Sequence, residues 1–361
     1  PIQLSKHNQD ILYIGSNKLH RSFNQGQDWE VISADLTKGG KKGDVPYGTL
    51  TAVHESPLKF GLIYTGSDDG LVHVSKDGGV TWTNISTGLP EDLWMSRIQA
   101  SQHEPGRVYV SLNGYRWDDF RSFVYVSEDY GATWNRLGLD LPFEPVNVVK
   151  EDSKNPNLLY VGTDHALYVS LDRGKSFMLM NKELPAAPVH DLVVHPRENE
   201  LLVGTHGRSL YLAPVQHLQQ LVDSVLEKTL FAFEVKKVRF SNNWGGSTYA
   251  WAEEIPEPDI ELPVFVKAGG KLKITVKSDD LTLKTWETDV TKGLNYPVYH
   301  GEIEEAIVPA FEKQLNKKKK PEDKEIKIKK AKNGKFYLRK GTYTIAFEKD
   351  GKKLEQKLVV E

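Results

Sequence analysis

Three carboxylates set in short loops, Asp68, Asp119 and Asp164, are the residues of this chain best placed to do chemistry. Paired acids roughly 5–10 Å apart are the equipment of glycoside hydrolysis, one giving a proton and the other acting as base or nucleophile. Loops aligned on the strand phrase before them put Asn17, Asp68, Asn113, Asp164 and His206 at one equivalent position, with Lys18, Asp69, His165 and Arg208 as neighbours. One loop is longer, Asn113 to Arg121, and carries Tyr115, Arg116, Trp117, Asp118 and Asp119. Aromatic rings interleaved with Arg and paired acids are the composition of a recognition loop. The same residues therefore read either as a polar ligand site or as a hydrolytic pair. A purely structural role stands beside both, because tight hairpins need Asn and Asp, and Asp69-Gly70 is itself a hairpin signature.

Other chemistries find less support. The chain has no Cys, so thiolate metal sites and disulfides are excluded. His190 and His195 are five residues apart on a predicted strand and face opposite sides. No metal and no cofactor are assigned. The stretch Thr37 to Tyr47, with Lys38-Gly39-Gly40-Lys41-Lys42-Gly43-Asp44, lacks the strand–loop–helix context of a phosphate loop. Lys and Arg number 47 against 49 Asp and Glu, so no net field points to nucleic acid or an anionic membrane. No apolar run approaches the ~18 residues that span a bilayer.

The loops must be held by the elements around them, and those elements repeat. Four copies of an eight-residue phrase begin at 22, 75, 127 and 170. Their shared positions are Ser22, Asn24, Gly26 and Trp29; Ser75, Asp77, Gly79 and Trp82; Ser127, Asp129, Gly131 and Trp134; and Ser170, Asp172, Gly174 and Phe177. In each, the Asp or Asn is expected to accept backbone N–H bonds two residues on, the Gly to supply a positive φ, and the aromatic to bury apolar surface. Short strands rich in Val, Ile, Tyr and Thr surround each copy, as in Leu62-Ile63-Tyr64-Thr65 and Leu159-Tyr160-Val161-Gly162.

This phrase is the Asp-box, or BNR repeat, and residues 1–214 resemble the Asp-box β-propellers. The segment Pro188 to Leu192 with Gly204 to Ser209 is similar to the last blade of large bacterial sortilin-like proteins, often labelled glycosyl hydrolases. The resemblance implies an all-β fold in which the box turns lie on one face of the propeller and the ligand loops on the other. It passes on no catalytic residue: a sialidase would need an arginine triad, and no expected sequence frame surrounds Arg97, Arg107, Arg116, Arg121 or Arg208. Four blades and an incomplete fifth are expected, with further blades of the parent protein before Pro1.

Apolar residues at 218, 221, 222, 225 and 226 predict a helix after the last blade. Residues 215–263 read as a helical and irregular connector, including Trp244 and Trp251. Residues 264–361 alternate apolar and polar and resemble an immunoglobulin- or fibronectin-like β-sandwich, with a helix-like, Lys-rich insertion at 302–335. The ending also resembles the C-terminal sorting domains of type IX secreted proteins. The functional expectation is a non-enzymatic binding or scaffold protein of the bacterial cell envelope or exterior, holding a peptide, protein or glycan. The alternative is a glycoside hydrolase using Asp68 or Asp119 with Asp164.

Overall fold

The computed structural model describes residues 1–39, 47–246, 256–317 and 324–361. Gly40 to Asp44, Trp251 and residues 318–323 of the Lys-rich stretch lie outside them. The chain is mostly β and forms two compact bodies, Pro1–Val222 and Asp223–Glu361.

The first body is a series of antiparallel meanders in strict sequence order. The first sheet holds Ile2–Leu4, Leu12–Gly15, Leu19–Ser22 and Glu30–Val31. The second holds Leu50–Glu55, Ile63–Ser67, Val72–Ser75 and Thr83–Asn84. Trp94–Ala100, Val108–Gly114, Asp119–Ser127 and Asn135–Leu137 form the third. Val146–Glu151, Leu159–Thr163, Leu167–Ser170 and Met178–Met180 form the fourth. The fifth has three strands, Val189–Val194, Glu200–Thr205 and Leu210–Pro214.

Two-residue alternation explains how the sheets stack. On the second strand of each of the first four sheets a Tyr faces forward: Tyr13, Tyr64, Tyr109 and Tyr160, all buried. Its neighbours on the following sheet face back. Tyr13 shares a core with Ile63, Tyr64 with Val108 and Val110, Tyr109 with Leu159 and Val161, and Tyr160 with Leu201 and Val203. Face-to-face stacking of four-stranded meanders is the blade arrangement of a β-propeller. The two outermost faces have no such partner among the described residues. Ile2 and Leu4 on the first sheet, and Val193, Leu202, Leu210 and Leu212 on the fifth, are exposed.

The eight-residue phrases form the turns between third and fourth strands. In the third sheet Ser127 Oγ accepts the N–H of Gly131 at 2.7 Å, and Asp129 accepts the Thr133 N–H at 2.9 Å and its hydroxyl at 2.7 Å. The carboxylate thus reaches four residues on rather than two. Gly131 has φ +89°, and a Cβ there would meet Ile85 Cδ1 at 2.3 Å. The indole does not merely close its own hairpin. Trp134 donates Nε1–H to Ile85 O, and Trp82 to Ile32 O, each on the preceding sheet. Trp29, with no sheet before it among the described residues, is exposed.

Hydrogen bonds from Thr133 hold the Asp129 carboxyl down to about 2. The stability this contributes is present above the ordinary carboxylate pKa and is lost as pH falls through about 2. Asp129→Asn should therefore flatten the acid limb of a melting-temperature profile between about pH 4 and 2. An unchanged acid limb would show that the turn carries no such linkage.

A second set of bonds clasps alternate pairs of sheets. Ser5 and Tyr13 hydroxyls donate to Glu55 at 2.5 and 2.9 Å. Ser101 and Tyr109 donate to Glu151 at 2.8 and 3.3 Å. His7 Nε2 lies 2.8 Å from Ser56 O, and His103 Nε2 lies 2.8 Å from Asp152 O. One two-sheet offset relates every member of the first clasp to its counterpart.

The predicted helix after the fifth sheet is broken. Gln216–Gln219 and Asp223–Leu226 are single turns. Asn155 Nδ2 donates to the carbonyls of Gln219 and Leu221, at 3.3 and 3.2 Å, so both are bound from outside the helix at the break.

In the second body, Leu230–Ala232 pairs with Val264–Val266, which pairs with Gly293–Asn295. A four-stranded sheet runs in the order Leu281–Val290, Gly270–Ser278, Gly341–Lys349, Lys352–Val360. Leu230, Val264, Ile274, Ile345 and Leu358 share one core across these two sheets. Helix Val308–Lys317 adds Phe311, whose ring packs 6.2 Å from Tyr343.

Candidate functional site

A cleft of about 800 Å³ opens on the first body where the third, fourth and fifth sheets meet. The third sheet supplies its longest hairpin. Val108–Gly114 and Asp119–Ser127 extend past their neighbours and are joined by one 3-10 turn, Tyr115–Trp117, with Asp118 in the left-handed region at φ 55°. This loop folds over the start of the sheet's inner strand. The Arg116 guanidinium stacks 3.9 Å above the Trp94 ring, and Trp117 donates Nε1–H to Asp92 O at 2.5 Å. Tyr115 and Phe120 meet edge to face at 6.1 Å.

The fourth sheet contributes a polar relay. Asn113 Nδ2 donates to Asn147 Oδ1 at 2.9 Å, and Asn147 Nδ2 donates to Asp164 Oδ1 at 2.8 Å. Asn147 is buried on the inner strand, so its amide fixes both neighbours. Backbone bonds hold the loops: Asp164 N–H to Pro145 O at 3.2 Å, and His206 N–H to Pro188 O at 2.9 Å. His165 stands 3.7 Å from Glu144, and the His190 and His206 rings are 5.4 Å apart. Phe143, Pro145 and Pro188 complete the apolar wall. Exposed rings beside fixed amides and one carboxylate can hold an extended polar ligand that also has apolar faces.

Of the residues singled out by sequence, Asn113, Tyr115, Arg116, Asp164, His165 and His206 line this cleft. The others do not. Asn17 donates to Asp35 at 2.7 Å. Asp68 is buried and accepts the backbone N–H groups of Tyr47 and Thr49. Asp69 is buried and accepts the Lys38 N–H at 2.6 Å. Asp119 is bridged twice by Arg121, at 2.8 and 2.6 Å, and these bonds hold its carboxyl below the usual range. Trp117 and Asp118 shape the loop without lining the cleft, and the Arg208 carbonyl accepts the Tyr211 hydroxyl at 3.0 Å. Asp164 is the single carboxylate among the described residues lining the cleft. No group of three or more His, Asp or Glu among the described residues is arranged to hold a metal.

Sequence reasoning missed the cleft residues Trp94, Phe143 and Asn147, and weighed a fourth, His190, only as a metal ligand. They sit at the ends of inner strands and in the segments leading into them, not in the loops that were aligned. Asn147 had a signal: it is the one polar residue in the run Val146 to Val149.

No family model and no curated protein matches this chain. Solved structures do. The GH74 xyloglucanase from Xanthomonas campestris is 18% identical with a TM-score of 0.46, covering 58% of this chain and 35% of that one. PorZ from Porphyromonas gingivalis, described as an essential bacterial surface component of the type-IX secretion system, is 12% identical with a TM-score of 0.45, covering 100% and 51%. YCF48 from Cyanidioschyzon merolae is 11% identical with a TM-score of 0.42, covering 56% and 65%. The chain spans less than two thirds of the length of each. These likenesses assign neither an activity nor a partner to this chain.

Proposed function

We propose that this chain is the Asp-box propeller part of a sortilin-like, non-enzymatic binding or scaffold protein that works outside the bacterial cytoplasm. Its cleft holds a peptide, protein or glycan on the face opposite the box turns. One observation carries the reading: a cleft with exposed Tyr115, Phe120 and Phe143 rings is organised around a hydrogen-bonded Asn113–Asn147–Asp164 relay. Asp68 and Asp119, the acids that hydrolysis would require beside Asp164, are committed to backbone N–H groups and to Arg121. The exposed apolar rows of the first and fifth sheets suit docking by further blades of the same protein. The second body reads as an immunoglobulin- or fibronectin-like sandwich, supported by Tyr343, whose hydroxyl donates to Arg339 O at 2.6 Å in the manner of a tyrosine corner.

The test is an array of immobilised glycans and peptides, scored for retention of the protein and for released sugar. Retention without release is expected. Asp164→Ala should weaken retention by about tenfold, the scale of one hydrogen bond to a charged group. Sugar release that stops in Asp164→Ala would instead make the cleft a glycosidase site.

A further inference from the structure

The Lys-rich tract of the second body builds a site of its own, apart from the cleft of the first. Residues 324–331 form neither helix nor strand, yet they are pinned to the helix Val308–Lys317. Glu312 Oε1 accepts the Ile328 N–H at 2.6 Å, and Asn316 Oδ1 accepts the Ile326 N–H at 2.8 Å. Ile328 is buried there, while Lys327 and Lys329 on either side of it stay exposed. A turn follows, closed by the Ala331 N–H on Lys335 O at 2.8 Å. From it the Asn333 N–H reaches Gly245 O at 2.9 Å and ties residues 240–246 to the tract. Gly245 has φ +70°, and a Cβ there would collide with the Tyr337 ring, so the close approach depends on glycine.

A cavity of about 490 Å³ lies against these segments. Three lining residues are aromatic: Phe240 and Trp244 meet edge to face at 5.4 Å, and the Trp244 and Tyr337 rings are 6.3 Å apart. Five are cationic, Lys327, Lys329, Lys330, Lys332 and Arg339, and no described Asp or Glu lines it. Nearby acids are engaged by other groups. Glu257 accepts from Lys335 Nζ at 2.9 Å and from Asn333 Nδ2 at 2.8 Å. Glu305 binds Lys330 at 3.0 Å, which offsets that one lining charge, and Glu325 stands 3.9 Å from Lys327. Arg339 and Lys329 have no carboxylate partner among the described residues. The Arg339 guanidinium is instead positioned 4.8 Å above the Phe240 ring. A concave surface with this excess of positive charge attracts anions.

We propose that this cavity binds a short acidic saccharide, whose sulfate or carboxylate groups are taken by Arg339 and Lys329. A guanidinium matches either group with two parallel N–H bonds. The volume falls within the range of about 300–1,000 Å³ typical of small-ligand sites. The exposed amides of Asn242 and Asn243 also line it, and amides both donate to and accept from sugar hydroxyls. An acidic peptide suits it less. Backbone donors of the wall are spent internally: the Gly245 N–H on Pro256 O, Gly246 on Asn243 O, Ile328 on Glu312 and Leu338 on Gly301 O. These groups are closed to a peptide's carbonyls. A nucleic acid suits it less as well, because Trp244 and Tyr337 are only 8% and 7% exposed and present no open face to a base. The site lies wholly in the second body, so it does not depend on what the first body's cleft holds.

Calorimetric titration of the whole chain tests this, with a heparin-derived hexasaccharide, trigalacturonate, neutral maltohexaose, hexaglutamate and a single-stranded thymidylate hexamer as probes. One molecule per chain of an acidic saccharide should bind, about tenfold or more tighter than maltohexaose, hexaglutamate and the thymidylate. The tighter of the two acidic sugars identifies sulfate or carboxylate as the group held. Arg339→Gln should weaken that binding about tenfold, the scale of one hydrogen bond to a charged group. The Tyr343 hydroxyl meets only the Arg339 backbone, at 3.2 and 2.6 Å, so its two bonds survive the substitution. Lys329→Gln changes an exposed residue without an ion pair, should weaken binding about threefold or more, and serves alone should the Arg339 variant fold poorly. Lys292→Gln removes an exposed charge of the same body outside the cavity and should leave binding within about twofold. An equal loss in Lys292→Gln and in the cavity variants would reduce the effect to diffuse attraction by a basic surface and overturn the site. So would hexaglutamate or the thymidylate binding as tightly as the acidic sugars, or no saccharide binding at about 1 mM.

Discussion

Glu151→Ala is expected to lower the stability of the first body by about 3 kcal/mol. The carboxylate is fully buried at the end of the fourth sheet's inner strand. It accepts from Ser101 Oγ with both oxygens at 2.8 Å, from the Gln102 N–H at 2.7 Å and from Tyr109 at 3.3 Å, with Arg107 3.7 Å away. Every donor belongs to the third sheet, so removing the acid leaves several buried groups unpaired at one inter-sheet contact. Arg107 keeps its bonds to Glu128, which limits the loss. Glu151→Gln retains an acceptor and should cost about 1 kcal/mol. The counterpart Glu55→Ala breaks the same clasp between the first two sheets, but among the described residues the first sheet packs against one neighbour only. In a quasi-linear stack the end unit can detach alone. Its loss should appear as early hydrogen exchange in residues 2–31 rather than as a shift of the main urea transition. Urea midpoints and exchange protection measured together check both statements. A Glu55→Ala midpoint shift as large as that of Glu151→Ala would show that the sheets unfold as one unit.

What was legible in the sequence follows from how local each signal is. The turn phrase is contiguous: Ser127, Asp129, Gly131 and Thr133 satisfy one another within seven residues, so pattern alone exposes it. The forward-facing Tyr on the second strand of each of the first four sheets is likewise visible inside a five-residue run. The clasps were not seen because each scatters its members over three segments. Ser5-Lys6-His7 and Ser101-Gln102-His103 look like ordinary turns, and Glu55 and Glu151 like solvated strand ends. Only the shared two-sheet offset betrays them. The helix expected after Pro214 had the right spacing, yet Asn155, about sixty residues earlier, binds two of its carbonyls. The site divides in the same way. Loop residues such as Tyr115, Asp164 and His206 stand at aligned positions. That alignment also gathered Asp68 and Asp69, whose side chains serve the backbone. A sequence shows that a hairpin wants an Asp; it does not show whether a longer neighbouring segment has already taken the carboxylate.

Asn147→Leu is expected to reduce retention of the cleft ligand by 10- to 100-fold, about 1.4–2.8 kcal/mol, without unfolding the first body. Leu shares the four-atom, Cγ-branched side-chain skeleton of Asn, and the position is flanked by Val146 and Val148 in a buried strand. The substitution leaves Asn113 Nδ2 without its acceptor and Asp164 Oδ1 without its donor. Both groups border the open cleft, so water can replace the lost bonds in the free protein. The larger penalty falls on the complex, where a ligand must displace that water and meet side chains no longer held in place. Arg208→Ala and Asp118→Ala supply the contrast, because neither residue lines the cleft and each should leave retention within about twofold. Retention measured on the same array for the three variants separates the relay from the surrounding rim. If Arg208→Ala abolishes retention while Asn147→Leu leaves it intact, the ligand sits on the outer loops of the fifth sheet and the relay serves only to brace the third sheet against the fourth.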